Sequence, residues 1–417
     1  AALARGLLDE RDIDRAVTRI YTTRFKLGMF DPQEQVPFAD IPESVINSDA
    51  HRQLAYEAAV KSIVLLKNDN AILPLRDLRN LYVLGPTAAN VEVLMGNYYG
   101  LSESLTTLIA GIVARTPEGV RLEYRPGTLL LHMPVGESTW TTRSAARADV
   151  VIACMGLSPQ VEGEEGDAIE SPVNGDRTEI GLPAVQVEYL RLLKANGARL
   201  ILVLTAGSAL ALGDVADLAE AIVYVWYPGQ EGGRAVADVL FGDVAPGGKL
   251  PLTFPYSLDQ LPSFEEYAMT GRTYRYVTAE PQFPFGFGLS YTHFAYGGLH
   301  LPTTIQADAS LPVQVTVTNT GAVTGDEVVQ LYLSKVEPAP GDPFYTLAGF
   351  QRVSLAAGEA RTLNLAVTPE MLATVNDDGR AAVQPGAYRL SVGGSSPGAR
   401  SATVGAPAPV VMEFTIM

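Results

Sequence analysis

The chain has 417 residues, 47% hydrophobic and 18% charged, a globular composition with room for two or three cored domains. A formal net charge of -16 works against nucleic acid and anionic membranes as partners and leaves a neutral small molecule such as a sugar as the easier one. The single cysteine, Cys154, excludes an intrachain disulfide and a thiolate zinc site, and the four histidines are scattered without metal-ligand spacing.

Residues 3–29 carry helical spacing. Leu7, Ile13, Val17, Ile20 and Leu27 fall near one face, and acidic Asp9 and Glu10 precede basic Arg15, Arg19 and Arg24. The opening AALARGLLDE lacks the apolar segment of a signal peptide and reads as the middle of a helical region. Pro32 stops the helix, and residues 31–47, with Pro32, Pro37 and Pro42, read as a surface linker. Ser48 or Asp49 caps a second helix predicted over 50–64. LLKNDNAILPL then reads as a turn leading to a strand at 81–84.

Apolar runs follow at 150–155, 200–205 and 221–226, with helical stretches between them. Continuous apolar strands alternating with helices predict a parallel sheet buried on both faces. The expected fold is therefore α/β, a doubly wound domain over about 48–262 that a junction segment extends to 298. The last ~120 residues change to short, mostly alternating strands at 313–318, 327–334, 361–367, 387–392 and 410–416. An antiparallel β-sandwich is expected over 299–417.

Four segments could carry chemistry. GLSPQVEGEEGD (156–167) leaves the carboxyl end of the 150–155 strand, where open α/β sheets gather ligands. It crowds Glu162, Glu164, Glu165 and Asp167, so at least one is expected to hold its proton unusually tightly and to serve as an acid. An acidic loop with no task, or a calcium loop, has the same spacing. Asp176 and Arg177 could orient that loop, or Asp176 could cap the next helix. WYPGQEGG (226–233) opens at the same sheet edge. It lacks both GxxxxGK[ST] and GxGxxG, so rings beside polar groups fit a sugar face better than a phosphate. NYYG (97–100) sets amide, phenol and backbone groups in one turn.

In order along the chain, several segments resemble glycoside hydrolase family 3. They are SDAHRQLAYEAAVKSIVLLKNDNAILPL (48–75), MGNYYG (95–100), GLSPQVEGEEGD (156–167), GDRTEIGLPAVQ (175–186), WYPGQEGGRAVADVLFGDVAPGGKLPLTFP (226–255) and FPFGFGLSYTHF (283–294). The tail resembles the fibronectin type III-like domain common in that family, and the NYYG and EGEE variants resemble its β-xylosidase branch more than its β-glucosidase branch.

The resemblance implies a retaining exo-hydrolase acting on xylo- or gluco-oligosaccharides, with an Asp nucleophile and a Glu general acid/base. In the family the Asp lies on an N-terminal barrel domain and the Glu on a loop of the α/β domain. Residues 1–47 are then the helix and linker that follow a barrel, and this chain without one is expected to be inactive.

Matching the first Glu of EGEE selects Glu162 as acid/base; counting back from Asp176 selects Glu165. The order of preference is Glu162, Glu165, Glu164. Asp176 and Arg177 are supports, and Tyr98, Tyr99 and Trp226 are substrate-binding candidates. No cofactor and no metal are implied. The implied partners are the oligosaccharide and the barrel, in the same gene or as a second chain; self-association through the barrel-facing surface is a further expectation. The rival reading is a non-catalytic sugar-binding or assembly module.

Overall fold

The structure is a computed structural model that describes residues 1–96, 102–133, 138–163, 171, 173–175, 177–375 and 378–417. It divides into two compact units, 1–53 and 54–417.

The first unit is built on helix α1 (Glu10–Lys26). Asp9 starts it with a reciprocal capping box: its side chain accepts from the Asp12 amide, and the Asp12 side chain accepts from the Asp9 amide. Arg24 and Lys26 in the last turn suit the negative end of the helix dipole. Helix α2 (Asp49–Ser62) starts at Ser48, whose hydroxyl accepts from the His51 amide.

The second unit opens with a six-stranded sheet of order β1-β6-β5-β4-β2-β3. Its strands are β1 (Val64–Asn68), β2 (Asn80–Leu84), β3 (Arg121–Arg125), β4 (Val150–Gly156), β5 (Leu200–Thr205) and β6 (Ala221–Tyr224). Five of them run parallel, but β1 pairs antiparallel with β6. The sheet is therefore mixed, where the apolar runs predicted a parallel one. β1 enters directly from α2 at the sheet edge, and an edge strand needs no crossover to lie antiparallel. The sequence reading took this strand for part of a turn. It also passed over β3, an edge strand with exposed ends and no apolar run.

The strand pleat decides which face each residue serves. Ile63, Leu65, Leu81, Val83, Ile152, Cys154 and Val203 pack with helices α3 (Leu108–Arg115) and α7 (Gly232–Phe241). Val64, Leu66, Tyr82, Leu84, Val151, Met155 and Leu202 pack on the opposite face with α5 (Ala184–Ala195). Each fully buried aliphatic side chain contributes roughly 1.5–3 kcal/mol. Helices α4 (Ser138–Ala145) and α6 (Val215–Leu218) complete the layers.

Glycines set how closely α3 and α7 approach. A Cβ on Gly111 would lie 1.9 Å from the Gly233 carbonyl oxygen, and one on Gly233 would lie 1.9 Å from that of Thr107. Gly233, the last residue of WYPGQEGG, thus serves helix packing. Buried Asp238 of α7 binds the same face together: it accepts from Tyr56 of α2 at 2.6 Å and pairs with Arg115 of α3.

The β-sandwich has a three-stranded sheet, β12-β9-β7, and a five-stranded sheet, β11-β10-β15-β16-β8. Its strands are β7 (Phe294–His300), β8 (Thr304–Ile305), β9 (Leu311–Asn319), β10 (Gly325–Lys335), β11 (Thr346–Leu355), β12 (Ala360–Val367), β13 (Thr374–Val375), β14 (Ala381–Ala382), β15 (Gly386–Gly393) and β16 (Val410–Ile416). β13 and β14 form a small separate ribbon. In β9, Leu311, Val313, Val315 and Val317 point inward, as alternation predicts. β11 was missed because LAGFQRVSL mixes a Gly and exposed Phe350 into the pattern.

Polar contacts fix the sandwich to the sheet domain. Lys249 of the PGGKLP turn lies 3.1 Å from Glu327 of β10. Arg352 of β11 donates to the carbonyls of Gly247 and Lys61, both at 3.0 Å. Gln330 of β10 donates to the carbonyl of Gly286 at 3.0 Å.

Candidate functional site

β4, β5 and β6 lie side by side and parallel, so the segments leaving their carboxyl ends meet at one edge of the sheet. At the end of β4, Gly156 has φ 130°, and a Cβ there would lie 2.0 Å from the Thr205 carbonyl oxygen. No other residue fits this approach of β4 to β5. Buried Gln186 of α5 fixes the same point from the side. Its amide oxygen accepts from the Gly156 amide at 2.9 Å, and its nitrogen donates to the Gly156 carbonyl at 2.8 Å. The chain then turns, with the amides of Val161 and Glu162 both donating to the Ser158 carbonyl at 3.0 Å.

This turn delivers Glu162 into a nest of donors. Its Oε2 accepts from the Gly207 amide at 2.6 Å and from the Tyr227 hydroxyl at 2.5 Å. Its Oε1 accepts from the Ser208 hydroxyl and lies 3.3 Å from Nη2 of Arg177. The same Nη2 donates to Ser208 Oγ at 2.6 Å, so Ser208 links guanidinium to carboxylate. Tyr224, at the end of β6, donates to the Ser208 carbonyl.

The Glu162 side chain is 9% exposed and that of Arg177 14%, so each charge is compensated in a mostly dry setting. Burial, reinforced by the Glu162 charge, pushes the Tyr227 phenol far above its ordinary range, and the same two causes act on Tyr224. Both remain hydroxyl donors at every ordinary pH. Room is short at Gly207 as well: a Cβ on it would stand 3.1 Å from the Tyr227 ring.

Of the residues singled out from sequence, the structure brings Glu162 and Arg177 together. Trp226 is held by contacts of its own. It has φ 58°, donates its indole N–H to the Ser62 carbonyl at 3.0 Å, and packs edge-on against Tyr224 and Phe254. Glu164, Glu165, Asp176, Tyr98 and Tyr99 lie outside the described residues.

The sequence reading missed Gly207, Ser208 and Tyr227 as partners of the acidic loop. TAGS (205–208) follows an apolar strand just as the acidic loop does, and inspecting every strand's carboxyl end would have found it. Among the described residues, no group of three or more His, Cys, Asp or Glu side chains could hold a metal ion, and no helix is long and apolar enough to cross a membrane. A cavity of about 790 Å³ lies elsewhere, lined by residues such as Leu66, Phe283, Glu327 and Arg400, away from this sheet edge.

Residues 63–291 match the glycosyl hydrolase family 3 C-terminal domain, and residues 327–396 match a fibronectin type III-like domain. A β-xylosidase of Formosa agariphila is 36% identical over 398 residues, covering 92% of this chain and 54% of the relative. A periplasmic β-glucosidase of Salmonella typhimurium is 32% identical, covering 93% of this chain and 54% of its own length. Among solved structures, a β-glucosidase of Erythrobacter marinus superposes with a TM-score of 0.84 at 31% identity, over all of this chain and 57% of that one. An exo-β-xylosidase bound to a xylobiose aziridine probe gives 0.84 at 29% identity, over all of this chain and 55% of that one. The chain thus spans little more than half the length of these relatives. By its matched sheet domain, its fibronectin-like sandwich and the order of its motifs, the chain belongs to glycoside hydrolase family 3.

Proposed function

We propose that this chain forms the C-terminal part of a retaining exo-acting glycoside hydrolase that removes β-linked xylose, with glucose the second choice, from non-reducing ends of oligosaccharides. The observation that carries the reading is the acidic turn at the carboxyl edge of the sheet, held by groups from three separate segments. Similarity to proteins described as β-xylosidases supports xylose over glucose.

In this reading a carboxyl group of the acidic loop protonates the leaving oxygen, then takes a proton from the water that releases the sugar. An aspartate on an N-terminal barrel attacks the anomeric carbon, and retention sets the two carboxyls roughly 5–5.5 Å apart. The residues of this chain supply the acid and the scaffold that aims it. Assayed without a barrel, these residues are expected to give no turnover.

The test is to assay this chain alone and joined to a barrel domain, on aryl β-xyloside and aryl β-glucoside. The joined protein is expected to hydrolyse the xyloside faster. Replacing the acid with glutamine should cost about 10²–10⁴-fold in turnover. Turnover of neither substrate by the joined protein sinks the reading; equal turnover of both removes the preference for xylose.

A further inference from the structure

The cavity of about 790 Å³ lies where the sheet domain meets the sandwich, and the glycosidase reading gives it no task. Its size falls within the roughly 300–1,000 Å³ of small-molecule sites, and such sites gather at domain junctions. The sheet domain supplies one wall: Lys67 of β1, Asp69 just after it, Asp217 of α6, and Tyr256. The sandwich supplies the facing wall through Arg400 and Thr403 of a short helix, Ala399–Thr403.

The polar groups of both walls are held in place by the protein itself. Arg400 donates through Nε and Nη2 to the Gln282 carbonyl at 3.1 and 2.9 Å, and its guanidinium carbon stands 5.4 Å from the centroid of the Tyr256 ring. Gln282 is buried and fixed in turn: its side chain accepts from the Leu212 amide at 3.0 Å and donates to the Gly213 carbonyl at 2.8 Å. No carboxylate pairs with Arg400 among the described residues, and a guanidinium carries more N–H donors than one carbonyl takes up. Across the cavity, Lys67 Nζ lies 3.1 Å from Asp69 Oδ2 and donates to the Ala216 carbonyl at 3.1 Å, and half of the Asp69 side chain stays in solvent.

The charges facing the cavity balance. Lys67 and Arg400 are matched by Asp69 and Asp217, His293 counts as neutral, and buried Glu327 is already beside Lys249. An ion of either sign therefore gains little, and the net charge of -16 works further against an anion. A ligand whose polar groups each donate and accept can use carboxylates and cations alike. Sugar hydroxyls do this, and the C–H face of a sugar ring suits the apolar body of a tyrosine.

We propose that this junction cleft is a saccharide-binding site that holds a short neutral oligosaccharide against Tyr256 and Arg400. The choice of sugars as first probes rests on the glycosidase reading; the cleft and its balanced walls do not.

The test is titration calorimetry of this chain with xylotriose and with cellotriose, and amide exchange with and without each sugar. The expected result is one saturable site, with exchange slowed in 66–71, 213–218 and 399–405. Tyr256→Ala is expected to weaken binding at least ~10-fold, as loss of an aromatic anchor implies. Thr403→Trp fills the cleft from an exposed position and should abolish binding with the unfolding midpoint unchanged. This second variant decides the matter if Tyr256→Ala does not fold.

No saturable binding of either trisaccharide at about 10 mM, tenfold above a millimolar site, overturns the proposal. So does binding that either folded variant leaves intact, or exchange slowed only in 157–163 and 205–208 at the sheet edge. These outcomes leave the glycosidase reading standing, because hydrolysis by the chain joined to a barrel decides that separately.

Discussion

Glu162 and Glu327 are both largely removed from water, each beside a cation and a tyrosine, and they are treated differently. Glu162 sits at the carboxyl edge of the sheet and receives a backbone amide, a serine hydroxyl, a phenol and a guanidinium. Glu327 sits where the sandwich meets the sheet domain, 2% exposed. Lys249 Nζ lies 3.1 Å from its Oε1 and 3.4 Å from its Oε2.

Burial pushes the Glu327 carboxyl above its ordinary range, and Lys249, the Tyr296 hydroxyl and the Val328 amide only partly oppose this. Burial first, and Glu327 second, push the Tyr296 phenol beside it well up. The difference teaches what donors from several directions accomplish. The closest cation to Glu327 is a point-like ammonium, while Glu162 has a guanidinium nitrogen at 3.3 Å together with an amide and two hydroxyls that settle its geometry. The first arrangement is enough to fasten two domains; the second suits a site that must aim something.

The largest expected effect is at the junction. Lys249→Met leaves Glu327 buried without a counter-charge and should cost about 3–5 kcal/mol in denaturant unfolding near pH 7. Lys249→Met combined with Glu327→Leu should recover most of that loss. A double variant as unstable as the single one would show that packing, rather than charge, holds the junction.

Next comes the cluster around Glu162. Tyr227→Phe removes one hydrogen bond to a buried carboxylate and should cost ~1.5–3 kcal/mol. A change below a few tenths of that, measured the same way, would mean that the other polar neighbours close over the gap, and would weaken the contrast with Glu327.

The third effect is a pH dependence. Glu327 binds its proton more tightly in the folded than in the unfolded chain, so its favourable contribution is complete below the ordinary glutamate pKa. That contribution is lost as pH rises from there through the raised folded value. Comparing wild type with Glu327→Gln by melting temperature across this window should show wild type losing ground steadily with rising pH. Parallel curves would place the titration elsewhere.

The smallest effect is a surface control. Arg389 and Glu413 pair at 2.7 Å on the sandwich, but their side chains are 44% and 56% exposed. Arg389→Ala should stay within about 0.5 kcal/mol of wild type by denaturant unfolding. A loss as large as that of Tyr227→Phe would dissolve the distinction between a buried, many-donor site and a solvated pair.

Much of this organisation was legible in the residues. The runs at β2, β4, β5 and β6 are apolar because both faces of the sheet are covered, and their alternation with helices gave the layered fold. Strict alternation in β9 gave the sandwich. The acidic loop was visible because it directly follows β4, an apolar strand buried along its whole length. Less legible were the edges: β1 and β3 bury less than the central strands, and the direction of β1 depends on a partner far along the chain, as Val64 pairing with Tyr224 shows.

The sequence by itself determined the kinds of elements, their order and the strand end from which the acidic residues depart, because burial and pleat write a local period into the chain. Only the tertiary structure decided what Glu162 touches. Its donors come from Arg177, Gly207, Ser208 and Tyr227, at sequence distances that carry no period at all. They meet because three parallel strands end at one edge. A carboxylate's role follows from the donors around it, and those are set by how strands are ordered in a sheet, not by which residues stand beside it in the chain.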